Sequence, residues 1–337
     1  MKLIVLKFKL TIFSAFVCLG HNALSQKLNG ANGHPLTQGA YSNISEQFEL
    51  LSSLNANIYR IDIPISKEGQ PINIGAFKKL VITNEKYPEI KILPMLSPQV
   101  NLLDGNLESQ FSRGYKIGLL FFSNYEDELK EFSEYFEIGN EIDLRAIKGA
   151  QFSGQSINHY DLDIIKKYAA FYQGFIKALK IFHPNNKIVV NFAFTHWGFL
   201  NYLEQLNFPY DVIGLHWYSN MGNLYSYGKE GVNIIDTLSS KFNKKILVDE
   251  FNVYQGSLEY IPNSNQQNWL HENLVEILSN SNSLGVIFYE LLDQPDFAKN
   301  PYSDYYNPGE SAYGLYENKT NEKGYILKEL YENILLK

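Results

Sequence analysis

Along this chain short apolar runs alternate with longer stretches in which apolar residues recur every three or four positions. A run of four to eight residues that is apolar on both faces reads as a buried strand, and the three-to-four spacing reads as an amphipathic helix. In order, the runs are "LNGANGH" (28–34), "ANIYRIDIP" (56–64), "IKILPMLS" (90–97), "YFEIGNE" (135–141), "KIVVNFAF" (187–194), "DVIGLHWY" (211–218), "KILVDEF" (245–251) and "GVIFYELL" (285–292). The first is the least apolar. Between them lie helical patterns such as "ISEQFELLSSL" (44–54), "DLDIIKKYAAFYQGFIKALKIF" (161–182) and "NQQNWLHENLVEILSN" (265–280), and "EKGYILKELYENILL" (322–336) closes the chain as a further helical pattern.

Eight strand–helix units predict an α/β fold, a single closed (β/α)8 barrel with parallel strands inside and helices outside, occupying residues 26–337. A doubly wound open sheet is the alternative, but no Gly-rich phosphate loop follows any early strand. No linker and no internal repeat divides the chain. The longest non-periodic pieces, 98–113, 143–160, 219–231 and 293–321, all follow the C-terminal end of an expected strand. In an eight-fold barrel that end carries the active site, so elaborated loops there suit an enzyme that binds something sizeable.

The first 25 residues carry Lys2, Lys7 and Lys9 ahead of an apolar run from Leu10 to Leu19, then "ALS" before Gln26. That order reads as a secretory signal peptide cleaved after Ser25; a spanning helix needs roughly 20 apolar residues, more than this run supplies. Cys18, the single cysteine, lies in this leader, and Val17 before it breaks the pattern of a lipidation site. The expected mature chain is therefore thiol-free, without a transmembrane segment, and secreted or periplasmic. Sequons at Asn43 and Asn318 keep eukaryotic secretion open. With 45% hydrophobic residues, 19% charged and a net charge of -7, the chain can bury a large core. It has no Lys/Arg-dense patch for a phosphate backbone, so nucleic acid is not an expected partner. A monomer is expected.

Glu141 ends the fourth strand run and Glu250 lies at the end of the seventh, so the two carboxyls converge over the barrel mouth. Two carboxyls facing each other across a sugar ring are the minimum equipment for cleaving a glycosidic bond. Two unrelated surface acids would look the same by position alone. The motifs around them say more: "GNEID" after strand four, "HWY" after strand six and "VDEF" after strand seven, in that order. With these the sequence resembles clan A of the retaining glycoside hydrolases, which includes cellulase-like, xylosidase-like and galactanase-like families.

The resemblance implies that Glu141 is the acid/base, that Asn140 hydrogen-bonds the 2-hydroxyl of the sugar being cleaved, and that Glu250 is the nucleophile. It further implies Arg60 beneath the nucleophile and His216 and Tyr218 on strand six. Independently of any family, Arg60 beside Glu250 would keep that carboxylate ionised, and a drier setting would raise the pKa of Glu141 so that it holds a proton. Tyr218 would orient Glu250, and a carboxyl separation of roughly 5 Å would give retention. Other readings stay open: Arg60 paired with Asp62, and His216 or His34 as hydrogen-bonded core histidines. Strand alternation points Asp249 away from the barrel axis as a structural residue, and Asp143 belongs to the following loop.

Pyranose rings stack on aromatic faces. Trp197 is the expected subsite wall, with Tyr289 a second candidate; Trp217 should pack outward and Trp269 in a helix core. Many clan A enzymes place a Trp at the end of strand eight, where this chain reads "VIFYELLDQPD", leaving Phe288 or Tyr289 as substitutes and Glu290 and Asp293 as extra acids. The expectation is a retaining β-glycosidase acting on a β-linked polysaccharide or oligosaccharide, endo-acting because the mouth loops are long, with no cofactor and no metal. The alternatives are a non-catalytic carbohydrate-binding barrel and a metal-dependent enolase-type barrel. The last needs carboxylates on adjacent strands, which strands three and five do not offer.

Overall fold

The structure, a computed structural model, describes residues 26–37, 39–259, 265–301, 306–319 and 324–335. The expected signal peptide, residues 1–25 with Cys18, lies outside the described residues. Eight strands build the barrel: β1 (Leu28–Gly33), β2 (Ile58–Ile65), β3 (Lys91–Pro98), β4 (Tyr135–Ile138), β5 (Lys187–Ala193), β6 (Val212–Tyr218), β7 (Lys245–Asn252) and β8 (Ser283–Phe288). They close in sequence order into a parallel barrel, β8 returning to β1. The polar β1 is held by ladders on both sides, with Gly30 opposite Ile58 of β2 and Ile287 of β8. Among the described residues no helix is long and apolar enough to cross a membrane.

The helices follow the apolar spacing. Leu162–Phe182 buries Ile165, Ala169, Tyr172, Ile176 and Leu179 on one stripe, and the Asp161 side chain caps it by accepting from the backbone N–H of Asp163 and Ile164. It packs against Leu107–Asn124, a helix that begins inside the expected 98–113 loop because Asn106 accepts from the Ser109 N–H at 2.9 Å. The closing pattern does not form one helix. Gly324 takes φ +112, Tyr325–Leu327 pairs antiparallel with Tyr316–Asn318, and a helix starts only at Glu329. β8 also stops at Phe288, which leaves Tyr289 and Glu290 beyond the strand and at the mouth.

Inside the barrel, side chains two residues apart stack in layers. Ile58, Leu93, Tyr135, Val189, Val212, Leu247 and Ile287 form an apolar plug, separate from the larger core between strands and helices. Two residues further along the same strands stand Arg60, Met95, Glu137, Asn191, Gly214 and Asp249, a layer dominated by four charged or amide side chains.

Asp249 corrects the alternation argument. From Leu247 to Glu250 on β7 the pairing spans the same step as Gly214 to His216 on β6, so β7 carries one extra residue, and it is also out of step with β8. This bulge turns Asp249 and Glu250 both toward the interior. Gly214 makes the room: a Cβ there would lie 2.2 Å from Asp249 Oδ2.

Candidate active site

Arg60 organises the polar layer. Nearly buried at 4% exposure, it grips Glu137 of β4 with Nε and Nη2, the latter at 2.7 Å. Nη1 donates to Asn32 Oδ1 and, at 3.0 Å, to Glu250 Oε1, while Nη2 also donates to Asn140 Oδ1 at 2.9 Å. All five guanidinium N–H groups thus serve β1, β4, the turn after β4 and β7. The alternative pairing with Asp62 does not occur, because Asp62 holds His34 Nδ1 at 2.6 Å.

The second Glu250 oxygen, Oε2, accepts from Tyr218 Oη at 2.7 Å and lies 3.2 Å from His216 Nδ1. The same nitrogen is 2.9 Å from Glu141 Oε1, so one imidazole stands between the two glutamates. One oxygen from each glutamate and that ring nitrogen all lie within 4.8 Å of one another. Burial disfavours the imidazolium, but the charge of Glu250, the hydrogen bond to Glu141 and the charge of Asp249 outweigh it and raise the His216 pKa to about 10. His216 is therefore a buried cation and not a neutral core histidine.

Glu141 departs from the expectation that it holds its own proton. Burial alone would raise its pKa, but the hydrogen bond and charge of His216, followed by Arg60, hold the carboxyl below its usual range. Its backbone sits in the left-handed region, φ 46 and ψ 47, and its N–H donates to Asn191 Oδ1 at 2.8 Å. Phe194, at the end of β5, also has positive φ, 54. Bulky and charged side chains seldom adopt this backbone, and such strain gathers at functional sites. Asn191 Nδ2 donates to Glu137 Oε1 and to Asn140 Oδ1. With its carbonyl held by Arg60 and Asn191, Asn140 keeps its NH2 for a ligand.

A cavity of about 650 Å³ opens above these groups, and Asn140, Glu141, Arg60, Tyr218, Glu250, His34 and Tyr289 line it. His34 bridges Asp62 and, through Nε2 at 3.3 Å, the buried Glu290. Burial would lower its pKa, but these two carboxylates raise it well above the usual value. Glu290 also accepts from Tyr41 Oη at 2.7 Å, and Asp293 pairs with Lys328 at 2.7 Å, so both extra acids brace the mouth from behind. Tyr289 fills the end of strand eight in edge contact with Tyr218 and Tyr313, at 6.4 and 5.5 Å between centroids, whereas Phe288 is core.

Trp197 is a correction. It opens the helix Trp197–Gln205, packs against the core with Lys241 Nζ 5.9 Å from its ring, and does not line the cavity. Trp217 is buried and Trp269 stacks on Phe251, as their patterns indicated.

Two sets of side chains have metal-ligand proximity, Glu137/His216/Asp249 and Glu141/His216/Glu250. In both, cationic donors already claim the acids: Arg60 holds Glu137 and Glu250, and the imidazolium serves the second set. The donor chemistry suits internal charge balance better than a divalent ion.

No protein-family model matches this sequence, and no curated protein matches it. Solved structures do. The β-glucosidase of Thermotoga maritima in complex with deoxynojirimycin aligns at TM-score 0.64 and 12% identity, over 93% of this chain and 98% of that one. The same enzyme with galacto-hydroximolactam aligns at 0.64 and 12%, again over 93% and 98%. The family 1 β-glucosidase of that organism aligns at 0.62 and 11%, over 92% and 97%. The likeness is one of fold.

Several residues of the site escape a strand-end reading. Glu137 is a fully buried charge in an otherwise apolar β4, and the signal was there: an acid two residues before the Gly-Asn-Glu turn has the parity of the barrel interior. Asn32 and Asn191 share that parity on β1 and β5. Asp143 is not a loop residue but a fully buried acid in the short helix Ile142–Ala146, bonded to His196 at 2.6 Å. Nothing in the local sequence pairs those two, since 53 residues separate them.

Proposed function

We propose that this protein is a retaining glycoside hydrolase that cleaves β-glycosidic bonds in a polysaccharide or oligosaccharide. The observation that carries this is the proximity of Glu141 and Glu250, whose facing oxygens lie within 4.8 Å across the cavity. Double displacement needs carboxyls roughly 5–5.5 Å apart, whereas inversion needs room for a water between them. The barrel shared with β-glucosidases supports the fold side of the argument.

In this reading Glu250 is the nucleophile, held and aimed by Arg60 and Tyr218. It attacks the anomeric carbon while Glu141 passes a proton to the departing oxygen; the C–O bond breaks and a glycosyl ester forms. Because Glu141 is ionised in the free site, that proton starts on His216 Nδ1, 2.9 Å away, and crosses when a bound sugar dries the cavity. Glu141 then takes a proton from water, the hydroxide attacks the same carbon, Glu250 leaves, and the proton returns to His216. Asn140 offers its NH2 to the hydroxyl next to the reacting carbon.

Endo action is supported by the open shape of the site. A second cavity of about 440 Å³ adjoins the first at His34, Tyr289 and Glu310, and a site extended in that direction suits a chain longer than the reacting sugar. Export through the N-terminal leader is part of the proposal and rests on its basic-then-apolar order. Hydrolysis of a panel of β-linked glycans, with NMR of the anomer first released, tests the reading. The β-anomer should appear first. A wild type that binds one of these glycans and cleaves none would make the protein a carbohydrate-binding barrel instead.

A further inference from the structure

One buried pair at the cavity edge has no part in the acid/base scheme. Asp143 is fully buried, and its Oδ2 accepts from the Ala193 N–H at 3.2 Å and contacts His196 Nδ1 at 2.6 Å. This fixes the tautomer and the tilt of the His196 ring, because the carboxylate claims the Nδ1 proton. Nε2 is the nitrogen left for a ligand, and His196 lines the cavity. Leu144, Ala193 and Phe194, from the elements that carry Asp143 and His196 or adjoin them, add apolar lining to the same cavity.

The place of this wall relative to the two glutamates decides what it meets. Asp143 and Leu144 sit in the short helix that Glu141 begins, and β5 ties down both the Glu141 N–H, through Asn191, and Asp143, through the Ala193 N–H, so the Asp143-bound His196 stands on the Glu141 side. Glu250 accepts instead from Tyr218, whose ring contacts Tyr289 and Tyr313, so a cluster of tyrosines stands on the Glu250 side. A sugar attacked by Glu250 sits on the tyrosine side, and the group whose oxygen Glu141 protonates extends toward His196. We propose that the Asp143–His196 pair is the recognition site for the leaving group, and that it selects a neutral, hydroxyl-bearing leaving group, a second sugar, over an aryl or alkyl one. This rests on the glycosidase reading above.

The chemistry argues each part. An apolar leaving group would satisfy Leu144 and Phe194 but cover Nε2 without a partner, which is costly in a dry site. An anionic one would approach Asp62, Glu141, Glu250 and Glu310, all of which line the same cavity. A sugar satisfies both surfaces: its ring face packs on the apolar wall and a hydroxyl pairs with Nε2.

The test compares two substrates of one glycone, the 4-nitrophenyl β-glycoside and the β-linked disaccharide, for wild type, His196→Ala and His196→Gln. A site built around a hydroxyl loses about 10–100-fold in kcat/KM when the partner is removed. His196→Ala should therefore fall at least tenfold further on the disaccharide than on the 4-nitrophenyl glycoside. His196→Gln, which keeps a hydrogen-bonding group, should recover part of that difference, and it carries the test if the alanine variant does not fold. Equal falls on both substrates, or none on the disaccharide, would overturn the recognition site and leave the glycosidase reading standing. A wild type inert on both would overturn the two together.

Discussion

The apolar plug and the polar layer above it are built from the same strands, two residues apart. Ile58 and Arg60, Tyr135 and Glu137, Val189 and Asn191, and Leu247 and Asp249 are pairs of neighbours on one face. The lower member of each pair removes apolar surface from water, and the upper member forgoes that gain to hold a charge or an amide in place. Burying Arg60 with Glu137 and Glu250 carries a desolvation cost that only full hydrogen bonding offsets. The plug therefore keeps the barrel closed, and the layer above spends part of that stability on orientation.

The largest effect should come from the top of the polar layer. Glu250→Gln keeps the shape and the Tyr218 hydrogen bond but removes the carboxylate proposed as nucleophile. Hydrolysis should fall by at least about 10⁴-fold while circular dichroism and oligosaccharide binding persist. Survival of more than a hundredth of the activity would place the chemistry elsewhere.

A matched pair of variants then probes the division directly. Glu137→Gln leaves Arg60 without its bidentate partner and should cost about 3–5 kcal/mol in urea unfolding. The same change should lower kcat about 100-fold, because Arg60 also positions Glu250 and Asn140. Leu247→Ala, one layer below, should cost a similar 2–5 kcal/mol, with kcat within about twofold of wild type. If both variants lose kcat alike, the two layers are not separable.

Acid–base behaviour sharpens the contrast further. Burial, helped by the Glu137 charge, pushes the Asp249 pKa up to about 8 from 3.8, so the folded chain keeps a proton that the unfolded chain releases. Its contribution to stability is full below pH 3.8 and declines as pH rises, levelling off above about 8. His216, raised to about 10 from 6.5, acts in the same sense: its contribution is full below 6.5 and lost as pH climbs through 10. Asp249→Asn removes the first slope, so its Tm relative to wild type should improve by several degrees between pH 4 and pH 9. A pH-independent difference would mean that Asp249 is ionised throughout. The smallest effect should come from outside both layers: Trp197→Phe should change KM by less than about twofold, since the ring packs on the core away from the cavity.

Much of this contrast was legible before any folding, and its gaps are instructive. Asn140, Glu141, Tyr218 and Glu250 stand at or just past strand ends at the mouth, and Arg60 and His216 share the interior parity of their strands. Glu137 follows the same parity but sits mid-strand, where an apolar run masks a single charge. Asp249 was placed on the wrong face because a bulge adds a residue that alternation does not count. Trp197 was misplaced because the start of a helix, not a strand period, sets its direction. Asp143 and His196 meet only through the packing of β5 against the turn after β4.

The order of apolar and polar residues by itself determined that eight strands would close into a barrel and that two glutamates would reach one rim. Those are consequences of local periodicity and of the need to bury both faces of a parallel strand. The charge state at that rim was decided only by tertiary structure. Glu141 is an ionised carboxylate and His216 a cation because elements far apart in sequence bring Arg60, Glu141, His216 and Glu250 within a few ångströms. At that distance, in a dried interior, Coulomb interactions exceed the cost of burial, and no local pattern encodes such a distance.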